Sequence, residues 1–284
     1  MQLDTKDSPK AYNGCTIQRK LIPGSNPMGV IDSLLASLPL TPIPVRDVVA
    51  GVRWTAVTSR GCGLAASLGF GSDGVIHTLP GAGQLHRKSV QELAQGMNAS
   101  NLLEASIGLA AYASTLEVPE DRIIDLNAFD LLAHLGGGKK VVMVGHFPQA
   151  EWLQQRVGSL AVLEKRPRPG DYPAEAAPDL IPAADLVAIT GMTILNHTMD
   201  DLLALCPPQA QVVVLGPSVP LSPVLFDLGV DFIAGSLVTD EKEVLLTIMQ
   251  GGSALQARGV RKLTLCKKPF GGSMPATNLS HGRI

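Results

Sequence analysis

Two stretches carry side chains that could bind or transform a ligand. The first is Thr190-Gly191-Met192-Thr193-Ile194-Leu195-Asn196-His197-Thr198, rich in hydroxyl, amide and imidazole groups. It follows the apolar run Leu186-Val187-Ala188-Ile189 and precedes a helical pattern from Met199 to Leu205. A strand that delivers polar residues to a helix start presents free backbone N–H groups and the positive end of a helix dipole. The second stretch is Gly145-His146, with Glu164 lying 19 residues beyond Gly145. An imidazole can serve as a metal ligand or a general base, and a capping or loop role is its plain rival. An acidic residue at the end of a second strand can bind ribose hydroxyls. A hard oxygen ligand, or an anchor for the basic loop that follows, are the competing roles for Glu164.

These residues need a scaffold. From Val141 onward the chain alternates short apolar runs with helical patterns. The runs are Val141–Val144, Leu160–Leu163, Leu186–Ile189, Val212–Leu215 and Phe232–Ala234, with Leu263–Leu265 as a candidate last strand. Repeated strand-then-helix with continuous apolar strands predicts a parallel sheet covered on both faces. Strands of such a sheet end on one side, so the residues after them converge. The convergent set is Gly145-His146, Glu164, Thr190 to Thr193, Gly216-Pro217-Ser218 and Gly235-Ser236. Helices are expected over 150–156, 223–228 with Ser222 as cap, and 240–250 opened by Asp240.

The first half reads differently. A helix from Met28 to Ser37 precedes three strand-like runs, Val45–Val52, Trp54–Ser59 and Leu64–Phe70. Two helices follow. Ser89 and Glu92 have capping-box spacing, and Leu102 to Thr115 is rich in Ala and Leu. Glu104 either complements that helix's N-terminus or, with Asn101, faces the ligand. Asn127 to Leu135 forms a further short helix. The expected organisation is a polar leader (1–26), an α+β domain (27–135), a Rossmann-like α/β domain (136–266) and a tail (267–284).

Several motifs are set aside. Gly69-Phe70-Gly71-Ser72-Asp73-Gly74 matches the dinucleotide fingerprint formally, yet it leads into Val75-Ile76-His77 and not into a helix, so it reads as a turn. Gly136-Gly137-Gly138-Lys139-Lys140 precedes a strand and lacks Ser or Thr after the lysine, so it reads as a helix stop and hinge. No Gly-x-Ser-x-Gly elbow supports a nucleophilic serine. Cys62 sits between glycines, either a soft ligand or a small packing residue. His197 reads as solvent-facing. The remaining histidines are scattered, and no His/Cys/carboxylate pair has zinc-site spacing, so a metal would be held by distant segments or arrive already chelated.

Composition narrows the classes. The 284 residues are 45% hydrophobic and carry a net charge of −2, with aromatics at 4%. That suits one large or two modest domains and argues against nucleic-acid partners, which favour basic patches and stacking platforms. The four isolated cysteines indicate reduced thiols and a cytoplasmic setting. No secretory signal or membrane span is expected, and the sequons at Asn98, Asn196 and Asn278 are chance matches.

Together, several segments resemble a family of unknown function associated with heavy-metal chelation. They are Leu103 to Ala111, Val144-Gly145-His146-Phe147-Pro148, Glu164-Lys165-Arg166-Pro167, Ala184-Asp185, Thr190 to Thr198 and Gly216 to Pro223. The resemblance covers most of residues 28–250. It implies an enolase-N-terminal-like α+β domain, a Rossmann-like domain and a ligand in the cleft between them. His197 stands where that family often has a small residue such as glycine, and Met192 where Thr is usual.

The expected ligand groups are Glu104, Gly145, His146, Glu164, Thr190, Thr193, Asn196, Thr198 and Ser218, with His146 as the metal-ligand candidate. The expected function is binding of a transition metal or a metal–chelate complex. The alternative is an enzyme holding an adenosine-type cofactor, S-adenosylmethionine or a nucleotide, on the second sheet. A purely structural module accounts for the fold but not for the polar strand ends. The partner is a small molecule or metal chelate, with homo-oligomerisation left open.

Overall fold

The computed structural model describes residues 28–68, 78–124, 126–254 and 257–268. The leader, the 69–74 glycine motif and nearly all of the tail lie outside the described residues.

The first half is built on a central helix. After α1 (Val30–Ala36), strands β1 (Asp47–Ala50), β2 (Trp54–Thr58) and β3 (Cys62–Ala66) form a three-stranded antiparallel sheet. The helix α2 (Val90–Ala94) starts with the expected capping box, Ser89 accepting from Glu92 N and Glu92 accepting from Ser89 N. Ser89 donates to the Glu92 carboxyl from both its backbone N–H and its hydroxyl, and these two hydrogen bonds hold that carboxyl below its ordinary range. The next helix, α3 (Leu102–Ala113), is buried from Leu103 to Tyr112 except at Glu104. A helix this apolar on all sides must be enclosed. The small sheet packs on it, with Gly63 so near that a Cβ there would meet Ala110 O at 2.0 Å.

The second half opens with β4 (Ile123–Ile124) and α4 (Ala128–Gly136), which stops at Gly136 before Gly138 adopts φ 71°. Then follow β5 (Lys140–Val144), α5 (Ala150–Gln154), β6 (Ser159–Glu164), β7 (Tyr172–Pro173) and α6 (Ala177–Leu180). Next are β8 (Leu186–Thr190), α7 (Met192–Leu195), α8 (Met199–Leu205) and β9 (Gln211–Leu215). The last described elements are α9 (Val224–Asp227), β10 (Phe232–Val238), α10 (Glu241–Met249) and β11 (Val260–Cys266). The eight strands lie in the order β4-β11-β10-β9-β8-β5-β6-β7, parallel from β10 to β7, with β11 antiparallel to β10. The fold is therefore mixed α/β, a small antiparallel sheet joined to a large, mostly parallel one.

Three local expectations change. The β10 strand runs to Val238 because β11 pairs along its whole length, Phe232 opposite Cys266 and Val238 opposite Val260. Gly235 and Ser236 are thus inside a strand, not at its end. Ser222 is not the cap of α9. That position belongs to Pro223, and the buried Ser222 hydroxyl bonds Tyr112 Oη at 2.7 Å instead. The polar corner after β8 carries a short helix of its own, α7, before the helix that the periodicity indicates from Met199.

One apolar core crosses both halves. Leu34, Val57 and Leu109 share it with Val187, Val212 and Phe226. Each such side chain contributes roughly 1.5–3 kcal/mol of burial free energy. The halves also meet through polar side chains. Asp200 Oδ1 accepts from Val30 N at 2.9 Å, capping α1 from α8, and Arg46 pairs with Glu241 at 2.6 Å.

Candidate functional site

Strand order reverses between β5 and β8, since β6 and β7 lie on one side and β9 and β10 on the other. The pairing sets Val144 opposite both Leu163 and Ile189. The next residues, Gly145, Glu164 and Thr190, therefore emerge at one level. Open α/β sheets bind ligands in the crevice at such a point. Here the crevice is a cavity of about 610 Å³. Gly145 shapes its floor at φ 95°, and a Cβ there would lie 3.0 Å from Thr190 Cγ2. Both facts call for glycine, because that φ disfavours any side chain.

His146 and Glu164 both line the cavity. Their polar atoms are fixed from behind. The His146 Nδ1 lies 2.9 Å from Asp171 Oδ2 and 3.0 Å from Oδ1. The Asp171 side chain is only 5% exposed. An ionised carboxylate can only accept, so Nδ1 carries the proton, and it is Nε2 that offers a lone pair whenever the ring carries a single proton. Asp171 is the residue that sequence reasoning missed. It sits 25 residues from His146, at the end of the proline-rich loop after β6. In the sequence it is only one residue of the proline-rich run from Arg166 to Pro173. The Glu164 carboxylate accepts from the backbone N–H groups of His146 (2.9 Å), Lys165 (2.8 Å) and Arg166 (3.4 Å). It ties the loop after β5 to the loop after β6, close to the anchoring role.

The corner after β8 contributes a second wall, with Thr190, Met192, Thr193, Asn196 and Thr198 lining the cavity. Much of its polarity is spent internally. Thr193 is 2% exposed and its hydroxyl donates to Thr190 O at 2.6 Å. The Thr198 hydroxyl donates to Asn196 Oδ1 at 2.6 Å. Walls of Leu163, Ala177, Leu202 and Leu205 complete an enclosure that is mainly apolar.

Other expected ligand groups are elsewhere. All lining residues fall between Val144 and Leu205, so among the described residues the cavity belongs to the second half alone. Glu104 does not reach it. Asn101 caps α3 by accepting from Leu103 N, and Gly96 packs on the backbone of Glu104. Ser218 is 3% exposed and accepts from Ala66 N at 2.8 Å, a link to β3. His197 does not simply face solvent. It holds φ 60°, and its Nε2–H donates to Met97 O at 2.9 Å across the halves. Cys62 lies in a separate crevice of about 20 Å³ with Val219 and Ser236. Burial pushes its thiol up to about 12, with Glu241 adding to the shift.

The donor set can be tested against a metal. Among the described residues, no group of three His, Cys, Asp or Glu side chains could hold an ion. A bare-ion cage does not fit. One imidazole backed by a buried carboxylate does fit a single coordination position.

Fold and cavity define a mixed α/β protein with a Rossmann-like crevice. Two family models, both described as "Putative heavy-metal chelation", match residues 31–116 and 127–267. The chain belongs to this family. A protein of unknown function from the same family in Desulfitobacterium hafniense is 28% identical, with a TM-score of 0.72 over 84% of this chain and 97% of that one. Another, from Pyrococcus horikoshii, is 18% identical with a TM-score of 0.67 over 82% and 96%, a likeness of fold. No curated protein matches the chain. Among the described residues, no helix is long and apolar enough to cross a membrane.

Proposed function

We propose that this chain binds a metal in chelated form, an organic complex seated in the cavity at the switch point with one coordination position filled by His146. The observation that carries this reading is the His146–Asp171 contact in the wall of that cavity. Asp171 fixes the Nδ1–H tautomer and the ring angle, leaving Nε2 as the donor. A ligand that brings most of its own donors needs only one from the protein, which suits a site with a single imidazole. The mainly apolar walls suit an organic framework, and the volume is in the range of small-molecule pockets. The family description supports metal handling in general terms.

A second reading keeps one supporting observation. Glu164 lies at the tip of β6 and lines the same cavity, where an acidic residue can accept from ribose hydroxyls. Its three backbone hydrogen bonds weigh against it, since they engage most of the carboxylate.

Native mass spectrometry of the protein and of His146→Ala, purified from the same cells, separates the two. The chelate reading expects a metal-bearing adduct on the parent chain that is lost from the variant. An adenosine-bearing adduct retained by both would replace it with the cofactor reading.

A further inference from the structure

The loop after β6 reads Lys165-Arg166-Pro167-Arg168-Pro169-Gly170-Asp171 and stands beside His146. Lys165, Arg166 and Arg168 are exposed, and Lys165 lines the cavity. Among the described residues none of the three has an ion-pair partner. Glu164 does not neutralise them by direct pairing, because its oxygens face the backbone N–H groups of the loop. Three neighbouring cations repel one another, and an anion placed among them removes that cost.

The loop is also held in place. Asp171 Oδ2 accepts from Arg168 N at 3.0 Å, and Asp171 N donates to Arg168 O at 2.9 Å, closing a turn through Gly170 at φ 95°. The prolines fix φ at two further positions. The carboxylate that orients His146 thus also holds the backbone of the basic loop at Arg168. The helical side of the cavity has the opposite charge, with Glu175 and Asp201. A ligand with a cationic centre and an anionic edge would match both signs.

We propose that Lys165, Arg166 and Arg168 form an anion subsite at the cavity mouth, selecting chelates whose periphery carries carboxylate or phosphate-type oxygens. Guanidinium forks suit such groups through paired hydrogen bonds. The proposal rests on the chelate reading above and names the chemistry of its ligand.

Three iron(III) salen complexes of matched size test it: one unsubstituted, one with two ring carboxylates and one with two ring phosphonates. Binding is read from the change in the iron absorption band. The anionic complexes are expected to bind at least about tenfold more tightly than the plain one, with a preference that shrinks as salt rises. The exposed triple variant Lys165→Ala/Arg166→Ala/Arg168→Ala should erase that preference, bringing the anionic complexes down to the affinity of the plain one. A stronger response to carboxylate or to phosphonate identifies the group and supports the subsite either way. Equal binding of all three, unchanged in the triple variant, overturns the subsite and leaves the chelate reading standing. If no iron complex binds, the metal-free dicarboxylate ligand decides. Binding of it that is lost in the triple variant keeps the basic loop as an anion site but overturns the chelate reading and, with it, the selection of chelates. No binding overturns both.

Discussion

The carboxyl edge of the large sheet has two sectors with opposite fates. Beyond β5, β6 and β8 it opens into the cavity. Beyond β9, and alongside the outer part of β10, it is filled. There Ser218 accepts from β3, Val219 and Leu221 are buried, and Gly235 lies under Val219 O. Both sectors carry small polar residues after apolar strands, so both satisfy the convergence rule. The difference is what packs on them. The antiparallel half covers the second sector and converts its serine from a candidate ligand group into a clamp. Strand ends mark an edge, and only tertiary packing decides which part of it a ligand can reach.

The largest effect that would sharpen this contrast is steric. In Gly235→Ala the new Cβ would lie 2.7 Å from Val219 O and 3.0 Å from Leu221 Cδ2. Backbone cannot yield as a side chain tip can, so a loss of about 3 kcal/mol is expected from chemical denaturation. A stability change near zero would mean that the filled sector is loosely packed. Next comes the open sector. Asp171→Asn keeps the size of the side chain but removes the charge that holds the His146 ring. Affinity for the iron(III) salen probe should fall by about tenfold with the melting temperature nearly unchanged. Unfolding instead would make Asp171 a packing residue. The smallest effect concerns Cys62 in the filled sector. Its folded thiol titrates near 12, above the ordinary 9.0. Stability from this group is complete below the unfolded value and falls as pH rises from about 9 towards 12. Near pH 8 the partly exposed thiol should stay protonated and resist iodoacetamide, and rapid alkylation in the native state would contradict the raised titration.

Much of the scaffold was legible because local signals agreed with the global fold. Continuous apolar runs gave the strands near β5, β6, β8 and β9, and Ser89, Asn127 and Asp240 all accept hydrogen bonds at helix starts. Gly145, His146, Glu164 and the corner residues from Thr190 to Thr198 come together because parallel strands end together. Asp171 was out of reach for a different reason. It reaches His146 from an irregular loop with no periodicity, and spacing along the chain says little about such a contact. The length of β10 depended on β11, the role of Ser222 on Tyr112, and the position of Glu104 on Gly96. Each is set by a partner distant in sequence or lying on another element.

His197 is the only described residue besides glycine with positive φ, and it lies between two residues that line the cavity. Left-handed backbone costs a side-chain-bearing residue about 1 kcal/mol, and one hydrogen bond to a carbonyl returns about the same. Glycine at this position would relax the turn and release Met97. The two choices are close to isoenergetic, so drift between them is nearly silent in stability. What changes is whether a polar strap is added to the apolar packing that already ties Ile194 and Leu195 of this corner into the shared core.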